Sequence, residues 1–371
     1  MDVERAPGHD RRWRRDRIAM SLSRVEKERI LILTEGLSTP LSAKTATGIL
    51  RYKSNQVVGL IDSTQSGKTA GELLEVGGDT PIFVSIDKAP IADVLVVGIA
   101  PAGGDLPKPL RRAICQAIER GMRVESGMHF PISDDPEFSS LARKTGSTLV
   151  DLRKNNERTV ARYDSFNPNC LRLHTVGNDC CVGKMVVSVE LARGLSEAGC
   201  DTKFVATGQT GMMLEGDGCA IDSVVSDFIG GTTEKLVLAG QHHEAIVVEG
   251  QGSLANPRYS GVTMGLLHGC LPDGLVMCYE SGRSDIVGLE PMPLPPLEQV
   301  LSAYLSVANL HHNCRFIGVA INGRLLSDEE YIREKELVQD RLNLPAWDVL
   351  REGVSGLVNE ALKLRVQLGK G

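Results

Sequence analysis

Residues 170–187 read CLRLHTVGNDCCVGKMVV, and their order decides the fold of the second half of the chain. The apolar run CLRLHTVG (170–177) predicts a buried strand ending on Gly177. Five residues then separate Gly177 from Gly183, and Lys184 opens a predicted helix that runs to Ala198 and stops at Gly199. Strand, glycine-bounded loop and helix are the layout of a phosphate-binding P-loop. In such a loop, backbone amides and a helix N-terminus meet an anion and the lysine adds a point charge. The loop departs from G-x-x-x-x-G-K-[ST] in two ways: its spacer is one residue longer, and Met185 stands where Ser or Thr is usual. Val186 and Val187 follow, so no hydroxyl sits nearby. In nucleotide hydrolases that hydroxyl helps hold magnesium between two phosphates. Its loss argues against ATP hydrolysis but not against holding a diphosphate. Coenzyme A also carries a diphosphate, and acyl transfer from its thioester needs no metal. The expected cofactor-binding residues are therefore Gly177, Asn178, Asp179, Cys180, Cys181, Val182, Gly183, Lys184 and Met185, with coenzyme A the chemically economical ligand and no tightly bound metal.

On either side of this motif, apolar strand-like runs alternate with helical stretches, the pattern of parallel sheets in α/β domains. Downstream strands are expected at 202–208, 223–228, 245–250, 274–279 and 315–321. Upstream they are expected at 30–36, 56–62, 81–86, 94–101, 123–128 and 147–153, with helices over about 40–51 and 107–121. Residues 154–169, KNNERTVARYDSFNPN, lose the pattern and read as a linker. The expected organisation is a disordered tail over 1–28, a Rossmann-like domain over 29–153, the linker, and a P-loop domain over 170–371.

The bulk properties agree with this. A chain of 371 residues with 42% hydrophobic and 24% charged residues can form two domains with real cores. Aromatics at 4% and 39 glycines suit tight βα turns better than a sandwich. A net charge of -6 gives no case for a nucleic-acid binder. No run approaches a membrane span. The nine cysteines form no C-x-x-C pair and read as free thiols of the cytoplasm. The first nineteen residues are polar and arginine-rich and lack the apolar stretch of a secretory signal, and because the patterned sequence begins only at Ile30, Met20 competes with Met1 as the start.

A second glycine–lysine loop lies upstream in DSTQSGKTAG (62–71). It has the hydroxyl, Thr69, that the other loop lacks. Asp62, however, stands where the first glycine should be, and a carboxylate there would face the phosphates. It reads as a surface or second-site loop.

GNDCCVGKM, TGQTGMM (207–213), DSVVSDFIGGTTE (222–234), VVEGQGSLANPRYSG (247–261) and MGLLHG (264–269) occur in one order. Together they resemble a P-loop family long catalogued as a domain of unknown function, which includes D-glutamate N-acetyltransferases. The resemblance spans about residues 28–365. It implies a Rossmann-like N-terminal domain, a P-loop C-terminal domain, and acetyl transfer from acetyl-CoA to the amine of D-glutamate or a related amino acid. The family loop is usually GTD, and Asn178 replaces the threonine here. The second domain also resembles dethiobiotin synthetase, whose loop has the same longer spacer and whose strand-end asparagine implies an adenine contact for Asn322.

In an α/β sheet the carboxyl ends of the strands line the ligand crevice. Glu249, ending AIVVEG, is the expected general base or else a carboxylate capping the glycine-rich loop. Gln251 and Ser253 are candidate hydrogen-bond donors to a substrate carboxylate or carbonyl, and Gln209 and Thr210 in TGQTG are candidate substrate contacts. Asp227 is expected at a strand end, and Arg258, followed by Tyr259, could pair with the carboxylate of an acidic amino acid. His268 is expected near the site, with a helix-end role as the alternative. His129, Lys44, Gly98, Gly103 and Gly104 are the N-terminal domain's candidates, and without G-x-G-x-x-G no NAD is expected. The partners expected are a small amino-acid substrate and a second copy of the chain, with no nucleic acid and no membrane. The alternatives are an ATP- and magnesium-dependent ligase or kinase, with Glu249, Asp179 and Asp227 around the metal, or a nucleotide sensor.

Overall fold

The structure is a computed structural model describing residues 28–99 and 106–370. The tail reading for residues 1–27, and the candidates Gly103 and Gly104, lie outside the described residues. Glu28 itself is anchored, its carboxylate accepting from Arg123 at 2.6 Å through both guanidinium ends.

The chain divides into two compact units after Asp151. In the first, the strands are β1 (Ile30–Leu33), β2 (Val57–Ile61), β3 (Ile82–Phe83), β4 (Val94–Val97), β5 (Arg123–Ser126) and β6 (Leu149–Asp151). They form one parallel sheet in the order β3-β2-β1-β4-β5-β6. β1 and β4 are buried at every residue, as continuous apolar runs covered on both faces must be. The helices are α1 (Lys44–Tyr52), α2 (Ala70–Leu74), α3 (Lys108–Glu119) and α4 (Pro136–Thr145). α4 shows why such helices begin and end where they do. Asp135 caps the amides of Glu137 and Phe138, Pro136 fills the first turn, and Gly146 takes the left-handed exit at φ +75°.

The second unit contains β7 (Leu171–Gly177), α5 (Lys184–Glu197), β8 (Thr202–Val205), α6 (Gln209–Glu215), α7 (Ser226–Gly240) and β9 (Ala245–Val248). It continues with α8 (Ser260–Cys270), β10 (Gly274–Glu280), α9 (Leu297–Ala308), β11 (Arg315–Asn322), α10 (Asp328–Leu342), β12 (Ala346–Trp347) and α11 (Ser355–Gln367). The parallel order is β12-β11-β10-β7-β9-β8. β7, buried throughout, is therefore central, and the loop it feeds emerges between the ends of β10 and β9.

Two expectations change. The run 223–228 is not a strand: a short 3-10 turn covers Ile221–Ser223 and α7 starts at Ser226. Val224 is buried but Val225 is 51% exposed, so the run has too little apolar surface for a place in the sheet. Asp227 instead suits the positive end of a helix. Residues 154–169 carry no helix or strand, yet they are part of the second unit. The amides of Arg162 and Tyr163 donate to the Glu234 carboxylate at 2.7 and 2.8 Å, and Asn167 donates through its amide to Gln241 Oε1 and through Nδ2 to the Gln241 carbonyl. Gly231 makes this docking possible, because a Cβ there would lie 2.1 Å from the Thr159 carbonyl.

None of the nine cysteines forms a disulfide. No helix among the described residues is long and apolar enough to cross a membrane.

Candidate active site

Gly177 ends β7 because nothing larger fits: a Cβ would lie 2.8 Å from Val182 and 3.2 Å from Lys184 Nζ. The loop turns back through two left-handed residues, Cys181 at φ +65° and Gly183 at φ +103°. Lys184 then opens α5 with its side chain buried and its Nζ donating to the Asp179 carbonyl at 2.7 Å. Met185 follows in the first turn, half-buried.

Asp179 is fully buried and pins the loop. Its Oδ1 accepts from Cys180 N–H (2.7 Å) and Asn256 Nδ2 (2.9 Å), and its Oδ2 from Arg283 Nη1 (3.1 Å) and Val287 N–H (2.7 Å). Arg283 also donates to the Cys180 carbonyl at 2.7 Å and pairs with Glu280, whose other oxygen accepts from Arg324. Asn322, ending β11, accepts from the Arg324 amide beside this ion pair, at the same carboxyl end of the sheet as the loop. Asn178 is buried, and its Oδ1 has no hydrogen-bond partner among the described residues. From the opposite side, Tyr304 donates to the Gly177 carbonyl (2.8 Å) and accepts from Leu254 N–H (3.1 Å).

The end of β9 meets this loop through Gly250. A Cβ at Gly250 would lie 1.9 Å from the Thr175 carbonyl and 2.9 Å from the Lys184 stem. The Gly250 amide donates to Thr175 Oγ1 at 3.0 Å, and that hydroxyl shares a 2.8 Å bond with Ser188 of α5. Glu249, just before it, is buried with its Oε2 accepting from the amides of Thr207 (2.9 Å) and Gly208 (3.0 Å), and Gln251 hydrogen-bonds it as well. Burial pushes its carboxyl up to about 7, with the Asp222 charge adding to the shift and the amide donors opposing it. Gln251 and Gln209 stand half-buried close by, while Thr210 is buried in α6. Ser253 is fully buried, its hydroxyl accepting from Ala255 N–H and hydrogen-bonding Tyr304, the residue that holds Gly177. Arg258 and Tyr259 are exposed further along the loop.

Two candidates fall elsewhere. Asp227 is exposed on the first turn of α7. His268 sits in the last turn of α8, which runs back from the carboxyl side of the strands, and its ring packs edge-on against His311 at 5.1 Å. Burial and His311 lower its pKa. The helix-end alternative describes it. In the first unit, Gly98 is a packing glycine, since a Cβ would lie 2.4 Å from Ile32. Lys44 begins α1, and His129 is exposed.

Sequence reading missed Asn256, Arg283 and Tyr304, which fix the loop, and Arg153 and Asp222, which pair beside Gln209. Asp222 opens the quoted stretch DSVVSDF but gains meaning only through Arg153, 69 residues earlier.

The P-loop domain of the DUF1611 family, described as a domain of unknown function, matches residues 159–358, and the family's Rossmann-like N-terminal domain matches residues 63–155. The chain belongs to the DUF1611 family. A D-glutamate N-acetyltransferase of Tritonibacter scottomollicae is 34% identical over 320 residues, covering 86% of this chain and 94% of that protein. A D-glutamate N-acetyltransferase of Pseudoalteromonas sp is 36% identical over 268 residues, covering 72% and 80% respectively. The crystal structure of a DUF1611 family protein from Anabaena variabilis superposes with a TM-score of 0.84 at 32% identity, covering 91% of this chain and all of that one. The two-domain α/β reading and the family resemblance drawn from five short stretches both hold. The two relatives named for an activity are acyltransferases.

Proposed function

We propose that this DUF1611 protein is an N-acetyltransferase that moves acetyl from acetyl-CoA to the amine of an amino acid, with D-glutamate the first candidate acceptor. One observation carries the reading: a phosphate loop with its glycines, its lysine and its helix start in place, but with Met185 where a magnesium-binding hydroxyl would stand. Backbone amides and Lys184 suffice to seat a diphosphate, and thioester chemistry asks for nothing more.

In this reading the acceptor amine attacks the thioester carbonyl. A C–N bond forms, the C–S bond breaks, and CoA leaves as thiolate. Glu249 takes the amine proton, a task suited to a carboxyl whose pKa lies at about 7. Holding the amine against the thioester supplies much of the rate, and glycine-loop amides stabilise the developing oxyanion. Nine cysteines without a disulfide fit a reducing cytoplasm, where acetyl-CoA is made and used. The magnesium-dependent alternative sets Glu249, Asp179 and Asp227 around the metal, yet both oxygens of Asp179 are already taken by four protein donors and Asp227 is exposed on the first turn of α7.

The test is acetylated product, followed by mass, from acetyl-CoA and separate D- and L-amino acids without added metal. Unmodified protein and Lys68→Ala should both form product. Lys184→Ala should raise KM for acetyl-CoA about 10–100-fold, the loss of a charged hydrogen bond of about 1.5–3 kcal/mol. No acetylated product from any acceptor, with ATP consumed in magnesium, would replace the transferase by a ligase.

A further inference from the structure

Beside Glu249 lies a polar cluster that the phosphate loop does not use. Arg153, with its side chain only 9% exposed, pairs through Nη1 with Asp222 and donates through Nη2 to Gln209 Oε1 at 2.8 Å. The other oxygen of Asp222, Oδ1, is buried with no hydrogen-bond partner among the described residues. A native fold rarely leaves a buried carboxylate oxygen unsatisfied, because the desolvation cost is not returned.

The cluster is held in place from both sides. Cys219 and Ile221 donate their amides to the carbonyls of Ala206 and Thr207, which keeps Asp222 against the turn whose amides cap Glu249. Asn155 donates to Ser223 Oγ (2.9 Å) and to its carbonyl (3.3 Å), which fixes the backbone flanking Arg153 and Asp222 together. The charge of Asp222 reaches Glu249. A cation, an unsatisfied anionic oxygen and a second carboxylate therefore converge at the ends of β8 and β9, next to the strand that feeds the phosphate loop.

We propose that Arg153 and Asp222 form the head-group site for an α-amino acid, with the guanidinium taking the α-carboxylate and Asp222 Oδ1 accepting from the α-amine. A zwitterion needs fixed charges of both signs a short distance apart, and this pair presents them preorganised and largely desolvated. The amine held at Oδ1 would face Glu249, the proton acceptor of the acetyl-transfer reading. The choice of acceptor class rests on that reading. Gln209 acts as a positioning residue for the guanidinium.

The test is calorimetric titration of the full chain, saturated with CoA, using D-glutamate, L-glutamate, 4-aminobutyrate (no α-carboxylate) and glutarate (no amine). Unmodified protein should bind a glutamate enantiomer at least about tenfold more tightly than either truncated ligand. Arg153→Lys keeps the charge but not the planar fork, and should weaken glutamate about tenfold or more with KM for acetyl-CoA unchanged. Asp222→Asn should weaken glutamate but not glutarate. If the unmodified protein binds no α-amino acid, or if both variants bind glutamate as the unmodified protein does, the site assignment is overturned. Selective loss of binding in the variants without acetylated product from the unmodified protein would uphold the site and remove the transferase reading instead.

Discussion

The chain contains two glycine–lysine loops, GNDCCVGK at 177–184 and SGKT at 66–69, and they fold into different objects. In the first, a buried strand runs into a bare glycine, two left-handed residues bring the loop round, and the lysine opens a 14-residue helix. In the second, the strand runs into Asp62, a buried carboxylate that accepts from Ser38 and twice from Thr64. Gly67 and Lys68 exchange backbone bonds with Ile82, and Lys68 Nζ reaches Gln65. The hydroxyl of Thr69 is spent on a capping box with Glu72 at the head of a five-residue helix. The loop with the better motif ending thus has no free cradle of amides. A phosphate loop is defined by the strand and helix that frame it more than by its terminal residues.

The largest expected contrast is steric. Gly250→Ala puts a carbon 1.9 Å from a backbone carbonyl next to the Lys184 stem, and should cost about 4 kcal/mol or more, the exceptional range for one substitution. Gly67→Ala, at φ +88° with no atom within 4 Å of the new carbon, should cost about 1 kcal/mol of backbone strain. Denaturant midpoints measure both, and equal losses would break the claim that only one loop is closely framed.

Next come the two strand-end carboxylates, whose titrations have opposite signs. Glu249 holds its proton from its ordinary 4.5 up to about 7 in the folded state. The folded protein therefore binds more protons than the unfolded chain in that window, and stability should fall as pH rises through it, by on the order of 3 kcal/mol. Glu249→Gln should flatten that slope. For Asp62, burial raises the pKa, but hydrogen bonds from Ser38, Thr64 and Gly36 outweigh it and hold the carboxyl below its ordinary 3.8. Its contribution should be complete above pH 3.8 and lost as pH falls further, a loss that Asp62→Asn should abolish. Melting temperature against pH for both variants checks the signs, and parallel slopes would refute them.

The smallest effect belongs to Thr69. Removing its cap in Thr69→Ala should cost about 1 kcal/mol in the same denaturation assay and leave KM for acetyl-CoA untouched. A rise in that KM would return the upstream loop to the phosphate-binding candidates.

Most of the fold was legible because buried parallel strands are continuous apolar runs. ILIL (30–33) and VLVV (94–97) leave little room for another reading. The failures come where local pattern and tertiary demand part. VV at 224–225 reads as a strand by composition, yet α7 claims the residues that follow and leaves Val225 in solvent. β12 is two residues long and exists only because β11 offers an edge. Residues 154–169 look like a linker because they carry no period, and they are ordered by Glu234 and Gln241 far along the chain.

The sequence by itself determined the family, the two-domain α/β architecture and the phosphate loop, because these rest on local order: apolar run, glycine, lysine, helix. It also marked Glu249 and Gln209 as strand-end residues worth attention. Only the tertiary structure decided what surrounds them. It fully buried Asp179 under four donors, sent His268 to the other end of its helix, and paired Arg153 with Asp222 beside Gln209. Such pairings depend on strand order, which places β9 beside β7 and β8 beside β9. Long-range neighbours of this kind leave no mark in any short window of sequence, and they decide which carboxylates are committed to the fold and which remain to accept a ligand.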